Sequence, residues 1–362
     1  AIRMLFERTD AGTDPLGPEN VLAFTVGPLT GTVVPTSNRF TVAARSPLTG
    51  IWGEADCGGR FGAELKRAGL DGLLITGRAT TPAYVWVEDG RAEIRDASDL
   101  WGVDTYDLEL PGHVACIGPA GEHQVPLASV MHDGKHGRAA GRCGLGAVMG
   151  SKRLKAVAVQ GTGRITVYDQ EGLTTSTREH IPGIREETLG FSTYGTAGGL
   201  ENYERVGNLP IKNWAQGSWD RAAEIGGPRM AETILINKYR CGGCPIGCGR
   251  TVKVEEGPYQ GVWGGGPEYE TLGAFGSSLL IDDLPAIARM HELCNRYGMD
   301  VISTGATIGF AMEAQEKGLI EGGPAWGDAE AAIELVHQMA HNEGWGARRN
   351  CWATMPTTLP CT

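Results

Sequence analysis

Between residue 22 and about residue 160 the chain alternates apolar and polar positions in short runs, and glycines and prolines cut one run from the next. The runs VLAFTVG, RFTVAA, GLLITG, VACIG and LKAVAVQG have the length and β-branched content of strands. AYVWVEDGRAEIR alternates around Asp89-Gly90 from Tyr84 to Arg95, which predicts a hairpin of the Asp-Gly type. A short helix is predicted from Phe61 to Ala68. The Gly58-Gly59 pair before it leaves backbone amides bare at a helix N-terminus, where an anion can be held.

Past residue 163 the period lengthens and helices are predicted at about 219–239, 284–297, 304–317 and 328–343. Asp283 can cap the second of these with Pro285 in its first turn, and Ala286, Ile287, Met290, Leu293 and Cys294 make one apolar face before Gly298 stops it. Asp328 is the predicted cap of the last. The pattern therefore predicts an α+β protein: a β-rich N-terminal domain over residues 1–162 and an α-helical domain over 163–346. Residues 347–362 keep neither period and read as an unrelated tail, from a frameshift or a fragment end. Ala1 lies inside what reads as a continuing element, so an upstream segment is expected.

Composition narrows the function. The chain of 362 residues carries a net charge of -11, from 43 acidic and 32 basic residues without long runs of one sign. That balance argues against nucleic acid as a partner. No stretch approaches the roughly 20 consecutive apolar residues of a membrane helix, so no membrane partner is expected either. Nine cysteines, three of them crowded together, do not suit a disulfide framework and point to a reducing, cytoplasmic setting. Fifty-five glycines, about twice the usual share of roughly 7%, imply many tight turns and close backbone approaches.

The crowded cysteines carry the chemistry. Cys241, Cys244 and Cys248 stand at two- and three-residue spacings in CGGCPIGCGR, which suits three ligands of one inorganic centre. Iron-sulfur clusters and structural zinc sites both close with four ligands. The fourth is then Cys57, Cys116, Cys143, Cys294, Cys351, Cys361, a histidine, or a residue not present. Glycines around the triplet let amides approach the sulfurs, which favours iron-sulfur; a zinc knot is the plainer alternative. Away from the triplet, Cys57, Cys116, Cys143 and Cys294 read most simply as small buried hydrophobes, and no histidine is given a role.

Two further segments are candidates. GKHGRAAGRCG, residues 134–144, sets Arg138 and Arg142 among glycines, a composition that can hold phosphate but that more often makes a solvated turn. In PEYET, Glu268 and Glu270 fall two apart, so on an extended backbone one of them at most faces a site.

Taken together, GPENVLAFTVGPLTGT, ARSPLTGIWGEADCGGRFGAELKRAGLDGLLITGRA, IGPAGE, GRAAGRCGLGAVMGSKRLKAVAV, CGGCPIGCGR, GPEYETLGAFGS and YGMDVISTG resemble, in order, the aldehyde ferredoxin oxidoreductase family. The likeness runs from residue 14 to about residue 346. It implies a tungsten or molybdenum atom held by two pterins, a magnesium ion bridging their phosphates, and one 4Fe-4S cluster. It also implies that the β-rich domain is a saddle for the pterins and that the helical part covers their other side.

Residue by residue, the resemblance assigns Arg39 to a place between pterin and cluster, and Asp56 and Gly58 to pterin contacts. Arg138, Ala139, Gly141 and Arg142 fall on the loop for pterin phosphates and magnesium, which reverses the bland reading of that loop. Asn295, Met299 and Asp300 fall on a second pterin motif, Cys241, Cys244 and Cys248 on cluster ligands, and Glu270 on the carboxylate near the metal. Two departures stand out: Asp56 replaces an asparagine and Asn295 an aspartate. The resemblance also implies that the family's third domain, with the motif that supplies the fourth cluster cysteine, is to be expected outside these 362 residues.

The implied activity is oxidation of a small aldehyde to a carboxylic acid, with electrons leaving through the cluster to ferredoxin or another acceptor. A homo-oligomer or an accessory iron-sulfur subunit is compatible with it. This 362-residue form is expected to be inactive alone. Two alternatives are a benzoyl-CoA reductase-type reductive member of the same family and a non-catalytic metal-binding or electron-transfer module.

Overall fold

Alternation along the first half builds two sheets. The computed structural model describes residues 1–347, and the predicted tail lies outside the described residues except for its first position. Strands β1 (Leu22–Val26), β2 (Phe40–Arg45), β3 (Trp52–Cys57) and β4 (Gly72–Ile75) form an antiparallel sheet in the order β3-β2-β1-β4. Strands β5 (Ala83–Glu88), β6 (Arg91–Asp96), β7 (His113–Cys116), β8 (Val130–His132), β9 (Arg138–Ala140) and β10 (Leu154–Gln160) form a second, in the order β6-β5-β10-β7-β8-β9, in which only β5 and β10 run parallel. The predicted hairpin joins β5 to β6, with positive φ at both Asp89 and Gly90.

Period-two alternation sends Leu22 and Phe24 of β1, Phe40 and Val42 of β2 and Val157 and Val159 of β10 into one shared core. The helix Phe61–Arg67 contributes Phe61 and Leu65 to it. Buried beside this core, Lys155 donates to the Val103 carbonyl at 2.7 Å and ion-pairs with Glu122, whose carboxylate accepts from the Gly102 amide at 2.8 Å.

A second buried lysine makes a weaker arrangement. Lys152 reaches only the carbonyls of Pro18 and Gly77, at 3.2 and 3.3 Å, and burial, with help from Arg78, lowers its pKa from 10.5 to about 8. Between those two values the unfolded chain holds a proton that the folded one has lost, so stability rises with pH there. Below about 8 the cost of the buried charge is present in full. In urea titrations the wild-type midpoint is expected to climb across that window relative to Lys152→Met. Parallel curves for the two proteins would refute this.

The chain divides into two units, and the division does not follow the change of period. The first holds Ala1–Glu186 together with two returning segments, Arg240–Pro245 and Asn295–Met299. Hydrogen bonds explain the returns. Gly242 donates to Gly59 at 3.0 Å and accepts from Asn38 at 2.7 Å, while Met299 bridges to Ala128 and Ser129 donates to Gly298 at 2.8 Å.

The second unit holds Glu187–Tyr239, Ile246–Cys294 and the chain from Asp300. Its helices include Leu284–Tyr297, whose last three residues belong to the first unit, Val301–Glu316 and Ala329–His341, the last capped by Asp328. The predicted helix at 219–239 is a correction. Gly226-Gly227-Pro228 breaks it, leaving the short helix Gly227–Thr233 and then strand β11 (Leu235–Tyr239), which pairs with β12 (Gly249–Lys253) and through it with β13 (Trp263–Gly265). The helix Gln170–Glu187 was not predicted. None of its 18 residues is fully buried, and its apolar stripe is thin, made by Leu173, Ile181 and Ile184.

Candidate cofactor and cluster site

The first unit gathers most of the residues singled out from sequence. Strand β3 ends at Cys57, and Gly58 follows with its Cα facing the cysteine loop. A β-carbon built there would lie 2.9 Å from Cys241 Sγ and 3.9 Å from Arg138 Cδ. A side chain there would force Cys241 to move. Arg39, Arg138 and Cys241 all lie near enough to the buried Cys57 to act on it electrostatically.

Neighbouring backbone continues the arrangement. Asp56, exposed on β3, accepts from Thr41 at 2.5 Å. Arg138 and Ala139 lie on edge strand β9, and a β-carbon on Gly137 would come within 2.5 Å of Asn295 Nδ2. Asn295 is buried, with its carbonyl accepting from Thr105 at 2.7 Å. Gly141 accepts from Ser129 Oγ at 2.8 Å, on the residue whose amide holds Gly298 beside Met299. Arg142 is exposed, and the next residue, Cys143, takes a positive φ of 71°.

Two features were missed from sequence. His132, buried on β8, donates from Nδ1 to Val114 O at 2.7 Å and accepts at Nε2 from the Arg60 and Phe61 amides, each at 3.0 Å. The first turn of Phe61–Arg67 therefore gives those two amides to an imidazole, where the sequence had suggested an anion. His113, His132 and Asp133 fall within 4.8 Å of one another, like metal ligands. With Nδ1 bonded to a backbone carbonyl and Nε2 shared between two backbone amides and the Asp133 carboxylate at 2.7 Å, the trio is better read as a structural knot. Asn38 is the other omission: it accepts from Gly31 at 2.6 Å and anchors Gly242 inside the cysteine loop. Only a partner far away in the chain reveals either role.

The cysteines separate into two kinds. Cys57, Cys116 and Cys294 are buried. Burial first, then Asp133, raises the Cys57 thiol well above its ordinary value; burial raises Cys116 to about 12 and pushes Cys294 up as well. These remain protonated core groups at neutral pH. Cys241, Cys244 and Cys248 are half-exposed and free of disulfides.

The second unit carries Cys248, Glu270 and Asp300. Glu270 is exposed on the turn Tyr269–Thr271, which is helical where the sequence suggested an extended segment, and which runs into the π-helical stretch Leu272–Gly276. Such π turns recur at functional sites. Thr196 Oγ1 accepts from the Tyr269 amide at 2.9 Å, and Thr271 pairs with the buried His291 at 3.0 Å. Burial and then the Glu270 charge push the Tyr269 phenol up. Beside them Phe191, Tyr194, Thr196, Tyr203 and Tyr269 line a cavity of about 350 Å³. Asp300 caps Val301–Glu316, accepting from the Ile302 and Ser303 amides at 3.1 Å each.

The donor set suits the groups the resemblance implies. Bare backbone at Gly58 lets the cysteine loop approach closely, three cysteines without disulfides supply soft ligands, and Arg138 and Arg142 flank a glycine-rich turn suited to phosphate.

The chain belongs to the aldehyde ferredoxin oxidoreductase family. The family's N-terminal domain matches residues 1–161, and its domains 2 and 3 match residues 173–348. Among individual proteins, the tungsten-containing aldehyde ferredoxin oxidoreductase of Thermococcus kodakarensis is 42% identical over 96% of this chain and 59% of its own length. Its counterpart in Pyrococcus furiosus is 41% identical with the same coverage. The chain thus spans 59% of the length of these curated relatives.

The active-site complex BamBC of benzoyl coenzyme A reductase, solved with 1,5-dienoyl-CoA, is similar in structure, with a TM-score of 0.82 and 26% identity over 97% of this chain and 57% of that one. The resemblance and the α+β class read from the sequence are both borne out.

Proposed function

We propose that the protein is part of an oxidoreductase that converts an aldehyde to a carboxylic acid at a tungsten or molybdenum bispterin, passing electrons through a 4Fe-4S cluster to ferredoxin. The observation that carries this reading is the convergence of Arg39, Gly58, Arg138 and Cys241 in one unit, in a chain 42% identical to a tungsten-containing relative. When bound, the metal supplies the two-electron chemistry: aldehyde and water become carboxylate, three protons and two electrons.

This chain's residues then bind and orient. Arg138 and Arg142 would hold phosphates with their planar forks, with the Ala139 and Gly141 backbone offered to magnesium, and Asp56, Asn295 and Met299 would line the pterins. Asp300 would support the same motif through its helix cap. Cys241, Cys244 and Cys248 would hold the cluster. Glu270 would accept a proton as water adds to the substrate carbonyl.

Tungsten and iron in anaerobically produced protein, together with aldehyde-dependent viologen reduction, would support the proposal; zinc without either metal would sink it. In active holoenzyme, Glu270→Gln is expected to lower kcat by about 10²–10⁴ with little change in KM. An unchanged kcat would remove Glu270 from its role. A reductive reaction on an aromatic thioester is the second reading, favoured by the likeness to the benzoyl coenzyme A reductase complex. Reduction of benzoyl-CoA without aldehyde oxidation would select it.

A further inference from the structure

Arg250 is 2% exposed and stands on β12, the central strand of its sheet, with its backbone paired to Lys238 on one side and its carbonyl accepting from Gly266 at 2.9 Å on the other. The guanidinium turns back along its own chain. Nη2 donates to Gly247 O at 2.7 Å and Nε to Gly249 O at 2.9 Å. Those carbonyls lie on either side of Cys248, so one planar group fixes the backbone before and after the third cysteine.

The same guanidinium reaches a helix end. Nη1 donates to Thr193 O at 2.5 Å and Nη2 to Ser192 O at 3.0 Å, near the C-terminus of Leu189–Tyr194. Carbonyls there lack intrahelical partners and attract a cation. The next residue, Gly195, has φ +63°, and a β-carbon on it would fall 2.7 Å from Cys248 O and 3.4 Å from Arg250 Nε. Helix end, glycine and cysteine loop therefore approach one another closely around one buried charge.

We propose that Arg250 is a positioning residue for Cys248: its guanidinium locks the Gly247–Gly249 backbone to the end of helix Leu189–Tyr194, and its charge favours the reduced form of a cluster held by that cysteine. The electrostatic half rests on the cluster assignment above; the positional half does not. Lysine keeps the charge but offers one nitrogen in place of a planar fork, so it can replace only part of the arrangement.

The test has two arms. In metal-free protein, labelling is by timed iodoacetamide with peptide mapping, each rate divided by the thiolate fraction read from its own pH–rate profile, because losing a nearby cation by itself slows alkylation. On that scale Cys248 is expected to react about ten times faster in Arg250→Met than in wild type, with Arg250→Lys between them, while buried Cys116 and Cys294 stay protected. Wild-type labelling of Cys248 in Arg250→Met would overturn the positional claim. Should Arg250→Met expose all three cysteines by unfolding, Arg250→Lys decides: faster labelling of Cys248 alone supports the claim, and a wild-type rate overturns it. In protein reconstituted with iron and sulfide, the midpoint potential is expected to fall in Arg250→Met and to stay near wild type in Arg250→Lys. Equal potentials in wild type and Arg250→Met would overturn the electrostatic half. If wild type takes up no iron, the cluster assignment fails and the electrostatic half with it, while the labelling comparison still decides the positional half.

Discussion

Replacing Cys241 and Cys244 together by serine is expected to abolish iron uptake in anaerobic reconstitution, to less than about a tenth of the wild-type iron content, with loss of the visible sulfur-to-iron absorption. Serine hydroxyls are poor ligands for iron at neutral pH, and one remaining thiol cannot hold a cluster. The fold is expected to survive, because the loop is tied to the first unit by groups that serine leaves in place: Asn38 on the Gly242 carbonyl and Gly59 on the Gly242 amide. Iron content and absorption check the first part, and the urea midpoint checks the second. A double variant that binds iron as wild type does would remove these thiols from the metal site. Wild type that binds zinc in preference to iron would favour a structural knot.

Lys155→Met is expected to destabilise the protein by about 3–5 kcal/mol, the range found when one partner of a buried ion pair is removed. Lys155 has no exposed surface in its side chain and Glu122 only 4%, so water cannot solvate the carboxylate left behind. The Gly102 amide would then be its principal remaining donor. Replacing both partners removes the stranded charge, and Lys155→Met/Glu122→Leu is expected to regain most of the loss. Urea unfolding of wild type, both single variants and the double variant gives the coupling directly. A single-variant loss below about 1 kcal/mol would mean that the pair is solvated in solution.

Legibility from sequence followed the range of the interaction. Where the determining contact was local, the reading was close: the hairpin at Asp89-Gly90, the helix Phe61–Arg67, and the caps at Asp283 and Asp328 each depend on residues a few positions apart. Where the contact was distant, it failed. Residues 235–239 continue a helical pattern up to the point where pairing with 249–253 makes them a strand, and hydrogen bonds to a strand outweigh local propensity. The helical turn Tyr269–Thr271 likewise has its first amide held by Thr196, 73 residues away in the chain. The polar helix Gln170–Glu187 left only a faint trace in periodicity, with three apolar residues on one face and none fully buried.

The candidate site divides along the same line. Cysteine spacing and the order of the family motifs belong to the sequence itself, since ligand type and separation restrict which inorganic centre can form, and they were enough to reach the family. Only tertiary structure set Gly58 against Cys241, gave the Arg60 and Phe61 amides to His132, and closed one guanidinium around the backbone on both sides of Cys248. The physical reason is that a periodic pattern reports which face of an element is buried, whereas a buried charge or a bare glycine takes its meaning from partners that the chain supplies tens or hundreds of residues away.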